Sequence, residues 1–295
     1  MIAGPTAAGK TLFAIELAKI FKTIIFSCDS RQFYRELSIG TAKPTATELA
    51  SVPHHFIGHL SIHDYYNVSM YEEDSISLFR EESVIHPVIL MAGGSGLYID
   101  AVCKGVDFFP DPDPELRSYL KGILTDEGIG RIREMLLERD PSYYHAVDLS
   151  NPNRILRALE VCMTTGRPYS VQRLNSPKTR DFRILKIGID LPRNELFDRI
   201  NGRVDKMIAQ GLLEEVKGLF THRHLNALNT VGYKELFEYM EDKIPLEQAI
   251  ENIKTNTRRY AKRQLTWFRK DKEIKWFHPE QISDVEDLIT EEAGR

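Results

Sequence analysis

Short apolar runs alternate with longer amphipathic stretches along most of the chain. The runs from Thr23 to Cys28 and from His86 to Ala92 are almost continuously apolar, which is typical of strands buried in a parallel sheet. Helical periodicity extends from Leu12 to Phe21 and again from Ser69 to Glu82. Alternation from Phe182 to Asp190 predicts a further strand. Strands separated by helices predict an α/β fold with a mainly parallel β-sheet flanked by helices.

A helical stretch interrupts this pattern near the middle of the chain. It opens with a turn rich in Pro and Asp from Asp111, and amphipathic helices follow as far as Arg139. We therefore predict a helical insertion at about 113–145 within a core formed by 1–112 and 146–295. The next helix should begin near Pro152, because proline suits an early helical position.

The charge of the whole chain does not point to a nucleic-acid partner, but one segment does. The 295 residues carry a formal net charge of −4, whereas the segment from Lys254 to Lys275 holds nine Lys or Arg together with Tyr260 and Trp267. Such a cluster suits a phosphate backbone, with the aromatic rings free to stack on bases. A solvated helix face is the alternative interpretation.

Cysteine content and hydropathy indicate the cellular compartment in which the protein is expected to act. The three cysteines are widely spaced, which argues against a disulfide framework and favours a reducing cytoplasm. No apolar run is long enough to span a bilayer, so we expect no membrane partner.

The segment from Gly4 to Thr11 matches the phosphate-loop pattern of Gly, four residues, and Gly-Lys-Thr. Backbone N–H groups of such a loop surround a diphosphate, Lys10 adds a positive charge, and the Thr11 hydroxyl can ligate Mg²⁺. The predicted helix that follows would direct its positive end at the anion. The pattern indicates a diphosphate without specifying ATP.

Two polar turns follow predicted strands and should meet at the same edge of the sheet. Asp29 comes directly after the first apolar run, and Ser95 lies in a glycine-rich turn after the second. The carboxyl ends of parallel strands face the ligand crevice, so Asp29 is the candidate base, unless it only caps a turn. The second strand ends without the acidic residue expected of an ATP-hydrolysing site, which argues against a motor or a GTPase switch.

His55, His59 and His63 have a spacing of four residues that would suit a metal site on a helix. Pro53 and Gly58 interrupt any such helix, and no carboxylate or cysteine completes a ligand set. We therefore favour a structural role for these histidines.

Taken together, these segments resemble the tRNA dimethylallyltransferase family, in its bacterial form, over nearly the whole chain. The segments that carry the resemblance are 4–11, 29–32, 40–44, 52–55, 93–98, 154–161, 231–234 and 257–264. The resemblance implies a P-loop NTPase-like core and transfer of a dimethylallyl group from dimethylallyl diphosphate to N6 of the adenine 3′ to the anticodon. Further implications are Mg²⁺ as cofactor and a protein that is monomeric.

The resemblance also assigns site residues. It implies catalytic roles for Asp29, Ser95, Lys10 and Arg203. Diphosphate binding falls to Gly4, Pro5, Thr6, Ala7, Ala8, Gly9, Lys10 and Thr11, with Thr11 also at the metal. Contacts with tRNA fall to Asp29, Ser30, Arg31, Gln32, Ser95, Arg117, Asn153, Arg154, Ile155, Leu156, Arg157, Asn229, Thr230, Val231, Gly232, Tyr233 and Lys234.

Two positions depart from the usual family pattern. Ala8 stands where the family usually has Ser, which removes a hydroxyl, and Ser95 stands where Thr is usual, which keeps one.

Three alternatives to the tRNA-modifying function stay open. They are an isopentenyltransferase acting on free AMP or ATP, a small-molecule P-loop kinase with Asp29 as base, and an RNA-binding protein without catalysis.

Overall fold

The computed structural model describes residues 1–111, 113–174 and 176–294. The chain forms two compact units: the first comprises Met1–Cys103 and Arg180–Arg295, and the second comprises Lys104–Thr179. We call them the first unit and the second unit. Residue 112, where the sequence predicts the end of a core segment, lies outside the described residues.

A parallel sheet forms the centre of the first unit. Its strands are β1 (Ile2–Ala3), β2 (Ile25–Ser27), β3 (His54–His55), β4 (Leu90–Gly93), β5 (Ile187–Ile189) and β6 (Lys275–Phe277). Their order is β3-β2-β4-β1-β5-β6, and every described pairing is parallel. The predicted parallel sheet is thus confirmed, and the very short β1 occupies a central position in it.

Helices cover this sheet. They are α1 (Lys10–Ile20), α2 (Ala46–Ser51), α3 (Val68–Glu82) and α4 (Gly96–Lys104), then, beyond the second unit, the helices Arg193–Ala209, Leu212–Leu219, Tyr233–Met240, Leu246–Phe268 and Ile282–Ala293. Buried Phe13, Ile15 and Leu17 of α1 pack with Ile2 and Ile187 in the main core. Among the described helices, none combines the length and the apolar character that crossing a membrane would require.

The strand predicted from Phe182 to Asp190 returns the chain to the sheet, but it is shorter than the alternation indicates. Only Ile187–Ile189 is extended and paired. The Phe182 ring instead packs on Phe79 of α3, with 4.1 Å between ring centroids. Packing against a helix therefore takes the beginning of this segment away from the sheet.

The second unit is helical and wider than the predicted insertion at 113–145. Its helices are α5 (Pro114–Asp126), α6 (Gly128–Arg139), α7 (Pro141–Ala146), α8 (Pro152–Thr165) and α9 (Tyr169–Gln172). Buried Leu120, Ile132 and Met135 pack with Ile155 and Leu159 of α8. Because α8 supplies half of this apolar core, it belongs to the helical unit, although the sequence placed it in the α/β core.

The remaining helices of the first unit are numbered α10 (Arg193–Ala209), α11 (Leu212–Leu219), α12 (Tyr233–Met240), α13 (Leu246–Phe268) and α14 (Ile282–Ala293). Helices α11 and α12 form a second apolar core with part of α13, centred on Val216, Leu236 and Ile253. This core supports the loops that surround the candidate site.

Candidate functional site

The phosphate loop connects β1 directly to α1. Gly4 has φ of 153°, and a Cβ there would lie 2.3 Å from the carbonyl oxygen of Ile189, so only glycine fits beside β5. Gly9 has φ of 94° and precedes the first turn of α1. Ala8 is fully buried, and its methyl group packs in the main core. The alanine that replaces the usual serine therefore contributes to packing, and the loop keeps its turn.

An open cavity of about 710 Å³ lies at the carboxyl ends of β1, β2 and β4. We call it the phosphate-loop cavity. Asp29 and Gly94 line it together with Lys10 and Thr11 of the loop. The structure thus brings together residues of the phosphate loop, the polar turn at Asp29 and the glycine-rich turn that contains Gly94 and Ser95, which we call the second glycine-rich turn. The sequence predicts this arrangement.

Positive charge dominates this cavity. Among the described residues that line it, Lys10, Lys43, Arg199, Arg203 and Lys206 are cationic, and Asp29 and Glu48 are acidic. Such an excess favours a bound anion.

Two of these cations are poorly solvated. The Lys10 ammonium donates to the carbonyl oxygen of Pro5 at 2.6 Å, and Arg203 donates to the Thr6 hydroxyl at 3.2 Å. Burial lowers the pKa of Lys10 to about 7, while neighbouring Asp29 opposes this shift and Arg203 adds to it. Burial also lowers the pKa of Arg203, against the attraction of Asp29. A diphosphate would replace the solvation that both cations have lost.

Asp29 both forms a turn and faces the cavity. One carboxylate oxygen accepts a hydrogen bond from the Arg31 N–H at 3.0 Å, as in an Asx turn. The side chain nevertheless lines the cavity beside Lys10 and Arg203. The two interpretations made from the sequence are therefore compatible, because the turn fixes the direction of a carboxylate that reaches the cavity.

Ser95 ties the two polar turns together. Its hydroxyl accepts a hydrogen bond from the Ser30 N–H at 3.1 Å, and its own N–H donates to the carbonyl of Cys28 at 3.1 Å. Tyr260 of α13 lies near Ser95 and Asp29, and partial burial together with the negative charge of Asp29 raises the pKa of Tyr260 to about 12. Ser95 thus lies next to the cavity lining, at the junction of β2, β4 and α13.

The sequence did not reveal the role of Gln264 or of Tyr260 as individual site residues. Gln264 is 6% exposed and joins the phosphate loop to the second glycine-rich turn. It accepts a hydrogen bond from the Thr6 N–H and donates to the Gly94 carbonyl, both at 2.8 Å. The available signal was a glutamine at a position of α13 that packs inward, between Ala261 and Phe268.

Arg31 and Gln32 hold loops of the first unit. The Arg31 guanidinium donates to the carbonyls of Asn226, Ala227 and Asn229 at 2.9 to 3.4 Å. Gln32 donates to two carbonyls of the loop that lines the cavity, those of Thr41 and Ala42, at 3.1 Å. Both side chains are thus engaged by backbone carbonyls of the protein itself.

The turn from Asn229 to Lys234 divides into exposed and buried positions. Asn229 and Lys234 are exposed, and Thr230 and Val231 are half-buried, whereas Gly232 and Tyr233 are buried. The Tyr233 hydroxyl donates to Glu215 at 2.6 Å, and Glu215 also accepts from the N–H groups of Ser38, Ile39 and Gly40. The Tyr233 side chain therefore holds a loop in place and does not present an RNA-binding face.

The second unit presents a pair of arginines on one buried carboxylate. Glu160 is 2% exposed at its side chain and accepts from Arg117 at 2.7 Å and from Arg157 at 3.4 Å. We call Arg117 and Arg157 the arginine pair. Arg157 also donates to the Pro110 carbonyl at 3.0 Å. Both guanidinium groups stay partly accessible, at 44% and 31% exposure.

The remaining second-unit residues predicted to contact RNA fall on opposite sides of α8. Asn153 and Arg154 are exposed. Ile155 and Leu156 are 0% and 6% exposed and pack in the core of this unit. The prediction that these two side chains contact RNA needs correction, because helical periodicity directs them inward.

Two of the three histidines pack against phenylalanine rings. His55 lies in β3 beside the Phe26 ring, and His59 packs edge-on against Phe33. Over the described ranges, no three His, Cys, Asp or Glu side chains converge on a possible metal position.

The basic segment from Lys254 to Lys275 covers most of α13 and the turn after it, and it ends at the first residue of β6. Arg259, Lys262, Arg263 and Trp267 are exposed along the helix, and the Arg263 guanidinium lies 5.8 Å from the Tyr260 ring centroid. Two basic side chains of the segment pair with carboxylates: Arg269 with Asp190 at 2.7 Å and Lys254 with Asp205 at 2.9 Å. The exposed basic side chains therefore lie on the helix that also carries Gln264.

Comparison with known families gives one match that spans most of the chain. Residues 32–271 match the model of the IPP transferase family. A tRNA dimethylallyltransferase 2 of Azobacteroides pseudotrichonymphae genomovar. CFP2 is 49% identical over 286 residues, which cover 97% of this chain and 93% of that protein. A tRNA dimethylallyltransferase of Christiangramia forsetii is 51% identical over 282 residues, covering 96% and 93%.

Solved structures give the same result. The full-length tRNA isopentenylpyrophosphate transferase of Bacillus halodurans superposes with a TM-score of 0.72 at 34% identity and covers 99% of this chain and 95% of its own. A eukaryotic dimethylallyltransferase acting on tRNA superposes with a TM-score of 0.78 at 25% identity, covering 96% and 74%.

Proposed function

Because the chain belongs to the IPP transferase family, we propose that it transfers a dimethylallyl group from dimethylallyl diphosphate to tRNA. The acceptor is the N6 amine of the adenine 3′ to the anticodon, and diphosphate is released. The observation that carries this proposal is the phosphate-loop cavity, where Lys10 and Arg203 lie desolvated beside Asp29.

The reaction exchanges one bond to carbon for another. The adenine amine attacks the allylic carbon, a C–N bond forms, and the bond from that carbon to the diphosphate oxygen breaks. Negative charge accumulates on the leaving diphosphate in the transition state. Lys10, Arg203 and the N–H groups of the phosphate loop stabilise that charge, and their low solvation strengthens the interaction.

Asp29 accepts the proton that the amine loses. Its Asx turn and the Ser30–Ser95 contact hold it at the carboxyl end of β2, on the wall of the cavity. A general base needs this fixed position within reach of the proton that it removes.

The residues of the cavity also suit a Mg²⁺ ion. Thr11 lines the cavity at the start of α1, and Mg²⁺ commonly takes only one or two ligands from the protein, with substrate phosphates and water as the others. When bound, the ion would neutralise charge on the diphosphate. We propose that Thr11 is its protein ligand.

Each unit offers its own contacts for RNA. In the first unit, these contacts are the exposed basic side chains of α13, together with Asn229, Lys234 and the polar turn at Ser30. In the second unit, they are the arginine pair, Asn153 and Arg154. The target base must leave its stack to reach a cavity of this kind, which costs a few kcal/mol that such contacts have to offset. We further propose that the protein acts as a monomer in the cytoplasm.

Product analysis tests the proposal. The protein is incubated with dimethylallyl diphosphate, Mg²⁺ and either an unmodified tRNA or AMP, and the adenosine products are analysed by mass spectrometry. We expect an isopentenyl group on adenosine from tRNA. Preferential modification of AMP would overturn the choice of acceptor, and transfer of labelled γ-phosphate from ATP would establish a kinase instead.

A further inference from the structure

Helix α13 contacts both turns that surround the proposed diphosphate position. Gln264 reaches the phosphate loop at Thr6 and the second glycine-rich turn at Gly94. Three residues further along, the Trp267 indole donates to Asp100 at 2.9 Å, beside the same turn. The helix therefore contacts the two turns through side chains that the reaction itself does not use.

The Gln264 amide is matched to its two partners. Its oxygen accepts from one backbone N–H and its nitrogen donates to one backbone carbonyl, both at 2.8 Å, which is good hydrogen-bond geometry. A Cβ on Gly94 would lie 2.2 Å from the amide nitrogen, so a larger residue there would displace the Gln264 amide from its present position. Of the natural side chains of this length, only glutamine or a protonated glutamic acid can donate and accept in this way.

Burial makes this bridge costly to break. Gln264 is 6% exposed and Gly94 is buried, so removal of the Gln264 amide leaves the buried Gly94 carbonyl without its partner and also releases the Thr6 N–H. The freed loop would sample conformations in which its N–H groups no longer converge on the anion. The loss should thus appear in anion binding.

We propose that Gln264 is a positioning residue that holds the phosphate loop and the glycine-rich turn at Gly94 in the arrangement that binds diphosphate. The role rests on the proposed function, since it presumes a diphosphate in the phosphate-loop cavity. Gln264 acts through the backbone of the two turns. The same helix carries exposed Arg259 and Arg263, so a base or phosphate bound on its outer face lies on the element that sets the geometry of the donor site.

Calorimetric titration of Mg²⁺ and inorganic diphosphate into the full chain tests this role. Gln264→Met keeps the size and apolar stem but lacks both hydrogen bonds, and we expect diphosphate binding to weaken about tenfold. The matched control is Gln248→Met, a substitution at an exposed position of the same helix, which should bind like the parent. Thermal unfolding of each protein verifies that it is folded.

Gln264→Glu gives a second test, because changing the pH alters the protonation of the new carboxyl group within a single variant. An ionised carboxylate repels the Gly94 carbonyl, whereas the protonated carboxyl can donate to it and accept from the Thr6 N–H as glutamine does. The deficit of this variant relative to the parent should therefore be about tenfold at pH 8 and shrink as the pH falls towards about 5.5. Gln248→Glu should show no such recovery.

The outcomes separate the two proposals. A parent protein that does not bind diphosphate overturns both the proposed function and the role of Gln264. A parent that binds diphosphate, with Gln264→Met binding equally well, overturns only the positioning role. A pH-independent deficit in Gln264→Glu would also contradict that role. An effect of packing alone does not depend on whether the carboxyl group is protonated, whereas the loss of a hydrogen bond to the Gly94 carbonyl does.

Discussion

The phosphate-loop cavity and the arginine pair are both cationic, but they balance their charge differently. In the cavity, Lys10 and Arg203 are desolvated; Asp29 attracts both of them, and Glu48 also attracts Arg203. In the second unit, a buried carboxylate accepts directly from both arginines, whose outer atoms remain in water. The arginine pair is thus distinguished by a carboxylate that is in direct contact with both of its cations.

This difference suits two kinds of anion. A desolvated cation with a lowered pKa gains most when a compact, highly charged ligand enters, because the ligand restores its charged form. A guanidinium fixed by a buried carboxylate is oriented in advance and still exposed, which suits a long polyanion that meets it at the surface. The first arrangement favours chemistry on a diphosphate, and the second favours recognition of a nucleic-acid backbone.

The largest effect should come from Asp29→Ala, which removes the carboxylate beside Lys10 and Arg203 and leaves the arginine pair untouched. We expect turnover to fall at least about 100-fold, the usual contribution of a general base, with tRNA binding largely retained. Single-turnover transfer and filter binding of tRNA measure the two quantities. Near-normal transfer by this variant would show that Asp29 is not the base.

The next effect concerns the protonation of Lys10. Its pKa is about 7 in the free protein, and a bound anion favours the charged form, so diphosphate affinity should fall as the pH rises through 7, by at most about tenfold per pH unit. Titrations at about pH 6 to about pH 8.5 measure this.

Lys10→Arg is the control for that titration, because arginine stays charged throughout this range. Expressing the affinity of the parent relative to this variant cancels the protonation of diphosphate itself. A constant ratio across the range would contradict a titrating Lys10.

A smaller effect is expected at Glu160, the carboxylate of the second unit that accepts from the arginine pair. Glu160→Gln keeps the shape but removes the negative charge that orients the arginine pair, and we expect tRNA affinity to fall about three- to tenfold. Diphosphate affinity should not change. Equal weakening of both ligands would mean that the variant has damaged the fold as a whole.

The smallest effect is expected for Tyr233→Phe. It removes one hydrogen bond to Glu215 and should lower the free energy of unfolding by about 1 kcal/mol, without altering tRNA affinity. Chemical denaturation and filter binding measure these quantities. Lys234→Ala, at the exposed neighbouring position, should instead weaken tRNA binding, and the reverse pattern would restore Tyr233 as an RNA contact.

The sequence predicted those parts of the site that depend on local patterns. The phosphate loop, Asp29 and the glycine-rich turn at Ser95 each follow a strand, and the rule on strand ends brings them to one cavity. Helical periodicity was also sufficient to predict α1 and α3, and applied to α8 it already gives Ile155 and Leu156 as buried.

The parts that the sequence did not reveal depend on contacts between distant segments. Gln264 is an unremarkable glutamine in a basic helix until the fold brings it between Thr6 and Gly94. Tyr233 sits in a motif assigned to RNA, but its burial against Glu215 is set by the packing of α11 on α12. The width of the second unit likewise became visible only when α8 packed on α5 and α6.

The central position of β1 has a consequence for the order in which the protein matures on the ribosome. Ile2 pairs with Ala92 on one side and with Ile187 on the other, and its loop is bridged by Gln264. The nascent chain therefore cannot complete the surroundings of the phosphate loop until the segments that carry Ala92, Ile187 and Gln264 have also been synthesised. A product of premature termination would carry the full loop motif and yet lack an assembled site.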